Sequence, residues 1–426
     1  NNLNFFYIDL FKKNFFTKRY IVLFFSYLFA GLSLVLFNFL LANNVSEYEF
    51  GLFATLYALS MIFSQLAHVG TPGLILNRYG TGSLQNNGFL KSLKQFLLIN
   101  GTVISLLFIL ILPLIEEDIE FIYFLLFLPL VLIQALFELT ITKFQIKDKF
   151  GELSFLNFLP NLLRVILLIS FFLFFKENSF ISFLKLYSIL NLSLLVLILL
   201  RQNISLFELF QLDSLNIFFK KHIEFFLSTL KFGLYEISFS FYVQIPIIVL
   251  GLVYSLEEVA SFALAITVTN IFLMPSAVFQ KISLPEIQLA ANKGSVFHKE
   301  ANTRFTLAMF LMGILMALLT YFVGSLLPNI FLESNYGSSS VLIKILSLYV
   351  FFRYLTSPNS LSLLTLNYTK ALNMIIFIVL FFQLSLIIYF LNLASFQLSF
   401  IPWVMISTEV LFLLLLRFYL SKKVFT

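Results

Sequence analysis

The sequence predicts an all-α polytopic membrane protein with about 12 transmembrane helices in two pseudo-symmetric six-helix bundles. Three observations support this prediction: an apolar composition, apolar segments of similar length and a stretch that occurs twice. The chain has 426 residues, of which 60% are hydrophobic and 11% charged, and its mean hydropathy is +0.98. Soluble domains carry about 25% charged residues, so this composition indicates a chain that lies mainly in a membrane.

Apolar segments long enough to cross a bilayer divide the chain. A helix needs about 20 residues to cross about 30 Å of hydrocarbon, where open backbone groups find no water to bond. The first six segments lie near residues 20–42, 51–76, 95–114, 120–142, 153–175 and 180–200. The second six lie near residues 229–253, 259–280, 304–327, 341–363, 371–392 and 398–419. Each half of the chain therefore supplies six predicted helices.

One stretch occurs twice, about half the chain apart. Residues 45–54 read VSEYEFGLFA and residues 254–263 read YSLEEVASFA, so that Ser46 matches Ser255. A self-match at a long period is typical of internal duplication, which many transporters show. We therefore predict two bundles joined by a cytoplasmic segment, either a helix on the membrane surface or a flexible linker. The predicted boundaries are 1–200 for the first bundle, 201–228 for the connection and 229–426 for the second bundle.

The distribution of basic residues predicts the orientation. With the N-terminus in the cytoplasm, 22 of the 27 Lys and Arg residues fall on the cytoplasmic side. Lys176 alone falls on the other side, whose loops are acidic, and the remaining four lie inside apolar segments. This distribution follows the positive-inside rule and places both termini in the cytoplasm. Because topology explains the basic residues, we expect no nucleic acid partner.

Several kinds of chemistry are excluded by what the sequence lacks. It has no Cys and three scattered His residues, so it offers no disulfide, thiolate metal site or zinc motif. It contains no P-loop and no dinucleotide-binding fingerprint. No Ser-His-Asp set or catalytic carboxylate pair stands out. We therefore expect no cofactor, no ATP-driven step on this chain and no enzymatic activity.

Ionisable residues inside apolar segments are the strongest candidates for a functional role. Each costs about 2.5–3.5 kcal/mol at a helix centre and therefore needs a partner or a watery cavity. One interpretation is pairing within the bundle, of Arg164 with Glu138 or of Arg353 with Glu409. The other is a hydrated cavity whose cationic groups bind an anionic head group. The sequence leaves both open for these four residues and for Glu236.

Arg78 and Lys281 form a second, more peripheral pair of candidates. Each ends the second helix of its half at the cytoplasmic side. They are either anchors that set the topology or a rim that attracts phosphate. The guanidinium of Arg78 suits phosphate because it offers two parallel N–H groups. His68, inside the second segment, is interpreted as a packing residue in preference to a proton relay.

Three stretches resemble bacterial polysaccharide flippases. NNVSEYEFGLFATLYALSMIFSQLAHVGTPGLILNRYG and YSLEEVASFALAITVTNIFLMPSAVFQKISLPEIQLAANKG resemble the first and the seventh and eighth helix regions of these proteins. FELTITKFQIKDKFGELSFLN resembles their turn between helices four and five. The flippases belong to the multidrug/oligosaccharidyl-lipid/polysaccharide (MOP) exporter superfamily. The resemblance covers most of the chain.

The resemblance implies an O-antigen-type flippase of the bacterial inner membrane. Such a protein carries undecaprenyl-pyrophosphate-linked oligosaccharide, an O-antigen or similar repeat unit, to the periplasmic leaflet by alternating access. Besides this substrate and membrane lipids, a proton or sodium ion and other polysaccharide assembly proteins are candidate partners. On this reading Arg78, Arg164, Lys281 and Arg353 are substrate-binding residues, and Glu138, Glu236 and Glu409 serve in ion coupling or pairing.

Three rival functions make different demands on the sequence. A multidrug cation antiporter of the same superfamily favours carboxylates in its cavity, one of them on helix one, where this chain has none. By resemblance a lipid II flippase has about fourteen spans, more than this sequence predicts. A polysaccharide polymerase needs a large periplasmic loop with catalytic Arg or His residues, whereas the outer loops here are short. The multidrug antiporter is the alternative that we retain.

Overall fold

Every regular element in the described part of the chain is helical. The computed structural model describes residues 18–80, 87–115, 119–147, 149–174, 179–201, 215–332, 336–366, 368–393 and 396–423. No strand occurs in these ranges. The predicted all-α fold is confirmed.

The helices follow one another with short connections. In chain order they are α1 (Lys18–Asn44), α2 (Glu47–His68), α3 (Thr71–Gly80), α4 (Asn87–Ile115), α5 (Phe121–Ile146), α6 (Phe150–Phe174), α7 (Phe180–Arg201), α8 (Leu215–Val253), α9 (Leu256–Lys293), α10 (Ser295–Phe322), α11 (Leu327–Phe331), α12 (Gly337–Thr365), α13 (Thr369–Leu391) and α14 (Phe400–Lys423). A single turn of 3-10 helix, Gly324–Leu326, joins α10 to α11.

Twelve candidate membrane spans are present among the described residues, as predicted. The second span is made of α2 and α3, and the ninth of α10 and α11 with the 3-10 turn between them. The seventh span belongs to α8, which already begins at Leu215. The last part of the predicted connection is therefore continuous with this span, and residues 202–214 lie outside the described ranges. The division into two bundles at this connection stays a prediction.

The repeated sequence starts a helix in both places. Ser46 caps α2: its hydroxyl accepts a hydrogen bond from the Glu49 backbone N–H at 3.3 Å, and the Glu49 carboxylate accepts one from the Ser46 N–H at 2.9 Å. Ser255 caps α9 by accepting from the Glu258 N–H at 3.3 Å. A Ser cap with a Glu three residues later satisfies N–H groups that the first helical turn leaves open. The two serines thus cap a helix in both places, whereas the reciprocal bond to the Glu carboxylate is seen, among the described residues, in the first copy.

The helices of the two halves pack in the same pattern. In each half the first span contacts the fifth, the second contacts the third and fourth, the fourth contacts the third and sixth, and the fifth contacts the sixth. Between the halves, the first span contacts the eighth, and the second contacts both the seventh and the eighth. Exchanging the halves leaves this set of contacts unchanged. The arrangement has the symmetry expected of an internal duplication.

Small residues allow the two halves to approach closely. A methyl group added at Gly51 of α2 would overlap the backbone carbonyl oxygen of Leu256 at the start of α9. One added at Gly251 of α8 would overlap the side chain of Thr55 on α2. The first of these contacts joins the two copies of the repeated sequence to each other. The repeat end is our name for the end of the molecule that contains residues 45 and 254. There α1 is followed by α2, and α8 is followed by α9.

Candidate functional site

Arg164 lies deep in α6 and has no counter-ion among the described residues. It stands ten residues before the end of α6, which corresponds to about 15 Å of helix. The side chain is 6% exposed. The guanidinium carbon lies 5.8 Å from the ring centroid of Tyr57 on α2 and 5.6 Å from that of Tyr187 on α7. Its Nη1 donates to Asn161 Oδ1 at 3.2 Å, and no carboxylate in the described structure lies within ion-pair distance.

The surroundings of Arg164 offset its charge only in part. A cation over an aromatic face gains up to about 2 kcal/mol when it is desolvated, whereas burying an unpaired charge costs several kcal/mol. The Nε atom of Arg164 is buried and has no hydrogen-bond partner among the described residues. The predicted alternative of pairing with Glu138 is not seen. The site is therefore a positive centre that an anion would stabilise.

Arg353 on α12 pairs with Glu409 on α14, which is one of the two interpretations that the sequence left open. Its Nη1 donates to Glu409 Oε1 at 3.2 Å. Glu409 is fully buried and also accepts hydrogen bonds from the hydroxyls of Tyr242, at 2.6 Å, and Thr356. The Arg353 guanidinium lies 4.2 Å from the ring centroid of Phe239. Within the described residues, Arg353 on the fourth span of the second half thus has a carboxylate partner, whereas Arg164 on the fifth span of the first half has none.

Arg353 remains accessible despite this pair. Its side chain is 19% exposed, compared with 0% for Glu409. A guanidinium carries five N–H donors, and within the described ranges Arg353 makes a single hydrogen bond. Most of its donors are therefore available to a ligand that reaches the exposed side.

Glu138 and Glu236 are candidate carboxylates from opposite halves of the chain. Glu138 is on α5, Glu236 is on α8, and both side chains are half-buried. Their carboxylates interact electrostatically. The sequence singled out both residues but gave no reason to place them near each other.

Arg78 and Lys281 have helical backbones, in α3 and α9 respectively. Their side chains lie outside the part of the structure that can be described. Their predicted role at the rim of a cavity stays a prediction.

The second span is broken beside His68. Val69 and Gly70 adopt left-handed backbone conformations, with φ of 42° and 68°, and separate α2 from α3. For a β-branched residue such as Val this conformation is strained. The break lies against Gly233 of α8, where a methyl group on Gly70 would overlap the Gly233 backbone nitrogen. His68 is 2% exposed, and in the described structure neither ring nitrogen has a hydrogen-bond partner.

The repeat end is closed by direct contacts between the halves. Asn43 Nδ2 at the end of α1 donates to the Phe331 carbonyl of α11 at 2.7 Å. The Tyr336 hydroxyl, whose pKa is raised by burial, donates to the Ala42 carbonyl at 3.3 Å. A cavity of about 380 Å³ lies among Ala42, Asn43, Val45, Ser46, Glu47, Tyr48, Glu257 and Tyr336. These contacts must break if the halves are to separate at this end.

Sequence reasoning missed the residues that surround the two arginines. Tyr57, Tyr187 and Tyr242 come from three different helices, and Thr356 lies one turn beyond Arg353. One signal was present: tyrosines are enriched where helices leave the membrane, whereas these three lie inside their spans. A tyrosine at such a depth needs a polar partner.

No protein-family model matches the chain, and no curated protein sequence matches it. Solved structures share its fold. An inward-facing multidrug resistance MATE family transporter of the MOP superfamily is 13% identical, with 92% of this chain and 95% of that chain covered and a TM-score of 0.68. The lipid II flippase MurJ in an inward closed conformation is 15% identical, with 94% and 87% covered and a TM-score of 0.68.

A third structure gives a lower score. An outward-facing MATE family transporter of the same superfamily is 12% identical, with 95% of this chain and 96% of that chain covered and a TM-score of 0.60. At these identities the likeness concerns the fold. The chain is a multi-pass membrane protein with the fold of MOP superfamily transporters.

Proposed function

We propose that this protein is a flippase that moves undecaprenyl-pyrophosphate-linked oligosaccharide, an O-antigen or similar repeat unit, across the bacterial inner membrane. The observation that carries the proposal is Arg164, a buried cation within a membrane span that has no carboxylate partner in the described ranges. A pyrophosphate is an anion with several acceptor oxygens, and the planar fork of a guanidinium binds such groups through two parallel N–H groups. A bound head group would thus supply the partner that Arg164 lacks.

Arg353 is the proposed second contact, from the other half of the molecule. Its exposed N–H groups suit a second phosphate oxygen. The rings of Tyr57 and Tyr187 hold the Arg164 guanidinium in place, and the lipid tail would stay in the bilayer between the halves. Arg78 and Lys281 would attract the head group at the cytoplasmic rim.

Alternating access between two bundles is the proposed mechanism. The positive-inside rule places the repeat end in the periplasm and both termini in the cytoplasm. The contacts of Asn43 and Tyr336 close that end, which agrees with the higher TM-score for the inward-facing than for the outward-facing MATE transporter. The bundles would rock about the interface of α1, α2, α8 and α9.

One observation favours the alternative, a multidrug cation antiporter. Glu138 and Glu236 place two carboxylates within range of each other's charge, and such carboxylates would attract a cationic drug, a proton or a sodium ion. In a flippase the same pair would serve in ion coupling. The two functions differ in the charge of the cargo and therefore in which residues they need.

Reconstitution in proteoliposomes tests the proposal. We expect the protein to move a lipid-linked oligosaccharide between leaflets, as measured by the protection of the glycan from an added glycosidase. We expect no accumulation of a cationic dye under a proton or sodium gradient. Dye transport without glycan translocation, lost in the E138Q/E236Q variant, would instead establish the antiporter.

A further inference from the structure

We propose that Glu409 is an internal counter-ion, which holds Arg353 while the carrier is empty and releases it to the anionic head group of the cargo. The inference rests on the proposed function and identifies how its second anion contact is controlled. It gives a reason for the difference between Arg353, which is paired, and Arg164, which has no carboxylate partner among the described residues. Glu409 would be a positioning residue, acting on the substrate through Arg353.

The bonds of Glu409 allow Arg353 to leave. Glu409 accepts hydrogen bonds from Tyr242 on α8, from Thr356 on α12 and from Arg353 itself. A buried carboxylate left without donors is strongly destabilised. Because the two hydroxyls remain when Arg353 turns away, Glu409 keeps part of its solvation. The Glu409 carboxylate therefore keeps two hydrogen-bond donors when Arg353 is no longer bound to it.

The position of Arg353 also favours an exchange of partners. It gives Glu409 one N–H group at 3.2 Å, and its side chain keeps 19% exposure. The planar guanidinium rests on the ring of Phe239, a contact that a small rotation would preserve. A phosphate that accepts two N–H groups at once competes well with a carboxylate that accepts one.

The pair has a consequence for the empty carrier. Without Glu409, the return step would carry the buried cations Arg164 and Arg353 with no carboxylate bonded to either among the described residues, a state that is costly in low dielectric. With Glu409, Arg353 is neutralised whenever the cargo is absent. The cargo must in turn compete with Glu409, which limits its affinity and favours its release.

The E409Q variant tests this inference. A glutamine oxygen still accepts from Tyr242 and Thr356 but carries no charge to hold Arg353. The probe is farnesyl diphosphate, titrated calorimetrically into the purified full-length protein, with farnesol as the control for partition into micelles. We expect E409Q to bind the probe about ten- to a hundredfold more tightly than the wild type. The gain should vanish in R353Q/E409Q, which should bind like R353Q.

A second variant predicts the opposite change. Y242F removes one hydroxyl donor from Glu409, which then depends more on Arg353 and releases it less readily. We expect Y242F to weaken probe binding about two- to tenfold. The matched control is E152Q, which removes an exposed carboxylate that pairs with Lys149 and Arg201 and should leave binding unchanged.

The outcomes separate this inference from the proposed function. If the wild type binds the probe but E409Q binds it no better, or if the gain persists without Arg353, Glu409 is not a counter-ion that competes with the cargo. A merely structural role would weaken binding in both E409Q and Y242F. If neither the wild type nor E409Q binds the diphosphate, the proposed function itself is wrong and the inference falls with it.

Discussion

Replacing Arg164 by glutamine is expected to abolish translocation of the lipid-linked oligosaccharide without unfolding the protein. Loss of two charge-assisted hydrogen bonds to a phosphate should weaken head-group binding at least about a hundredfold. Stability should stay the same or rise, because the change removes a buried cation that has no carboxylate partner. The measurements are the glycosidase-protection assay and thermal unfolding of the purified variant.

Loss of translocation without loss of stability would show that Arg164 binds cargo and does not merely hold the helices together. An arginine that served only to hold helices together would lower the unfolding temperature when replaced, and the folded fraction would still transport. The matched control is R201Q, which removes an exposed arginine paired with Glu152. Exposed pairs contribute about 0–1 kcal/mol, so R201Q should change neither quantity measurably. Full transport by R164Q would remove the observation on which the flippase proposal rests.

Replacing Gly51 by alanine is expected to have the largest effect on the interface between the halves. The added methyl group would overlap the Leu256 carbonyl oxygen, and a backbone atom cannot turn away as a side chain can. Overpacking of this kind costs about 1–3 kcal/mol. We expect a lower unfolding temperature and a repeat end that is held apart, measured as faster labelling of a single cysteine introduced at Asn43.

Gly151 provides the matched control for this substitution. It also lies in a helix, but nothing lies within 4 Å of the position that a methyl group would occupy. G151A should therefore leave the unfolding temperature unchanged or raise it slightly, because alanine favours the helix. If G51A and G151A behave alike, the close approach of the two repeats does not matter for stability.

Sequence alone predicted the twelve spans because their causes are local. Hydropathy sets the spans, and the repeated Ser-x-x-Glu starts α2 and α9 wherever the rest of the chain lies. The same stretch also predicted the duplication that the helix contacts display. The orientation inferred from the basic loops stays a prediction. The sequence did not predict where the connection between the halves ends. Residues 215–228 continue as helix into the seventh span, and composition does not show where a surface helix ends and a span begins.

The residues that contact Arg164 and Arg353 could not be predicted from the sequence in this way. Whether Arg164 meets Glu138 or Tyr187 depends on how α5, α6 and α7 rotate about their axes, which packing decides. The Arg353–Glu409 pair was one of two open interpretations, and only the approach of α12 to α14 selects it. The sequence therefore identified the charged residues, and the structure supplied their partners.

The central claim is that the halves separate at the repeat end in every transport cycle. The chain contains no cysteine, so the double variant N43C/F331C would carry the only two thiols, at positions that contact each other across the halves. A short cleavable crosslinker between them should stop translocation of the lipid-linked oligosaccharide in proteoliposomes, and cleavage should restore it. Either single variant should be unaffected by the reagent. Translocation at the full rate with the crosslink in place would contradict the claim.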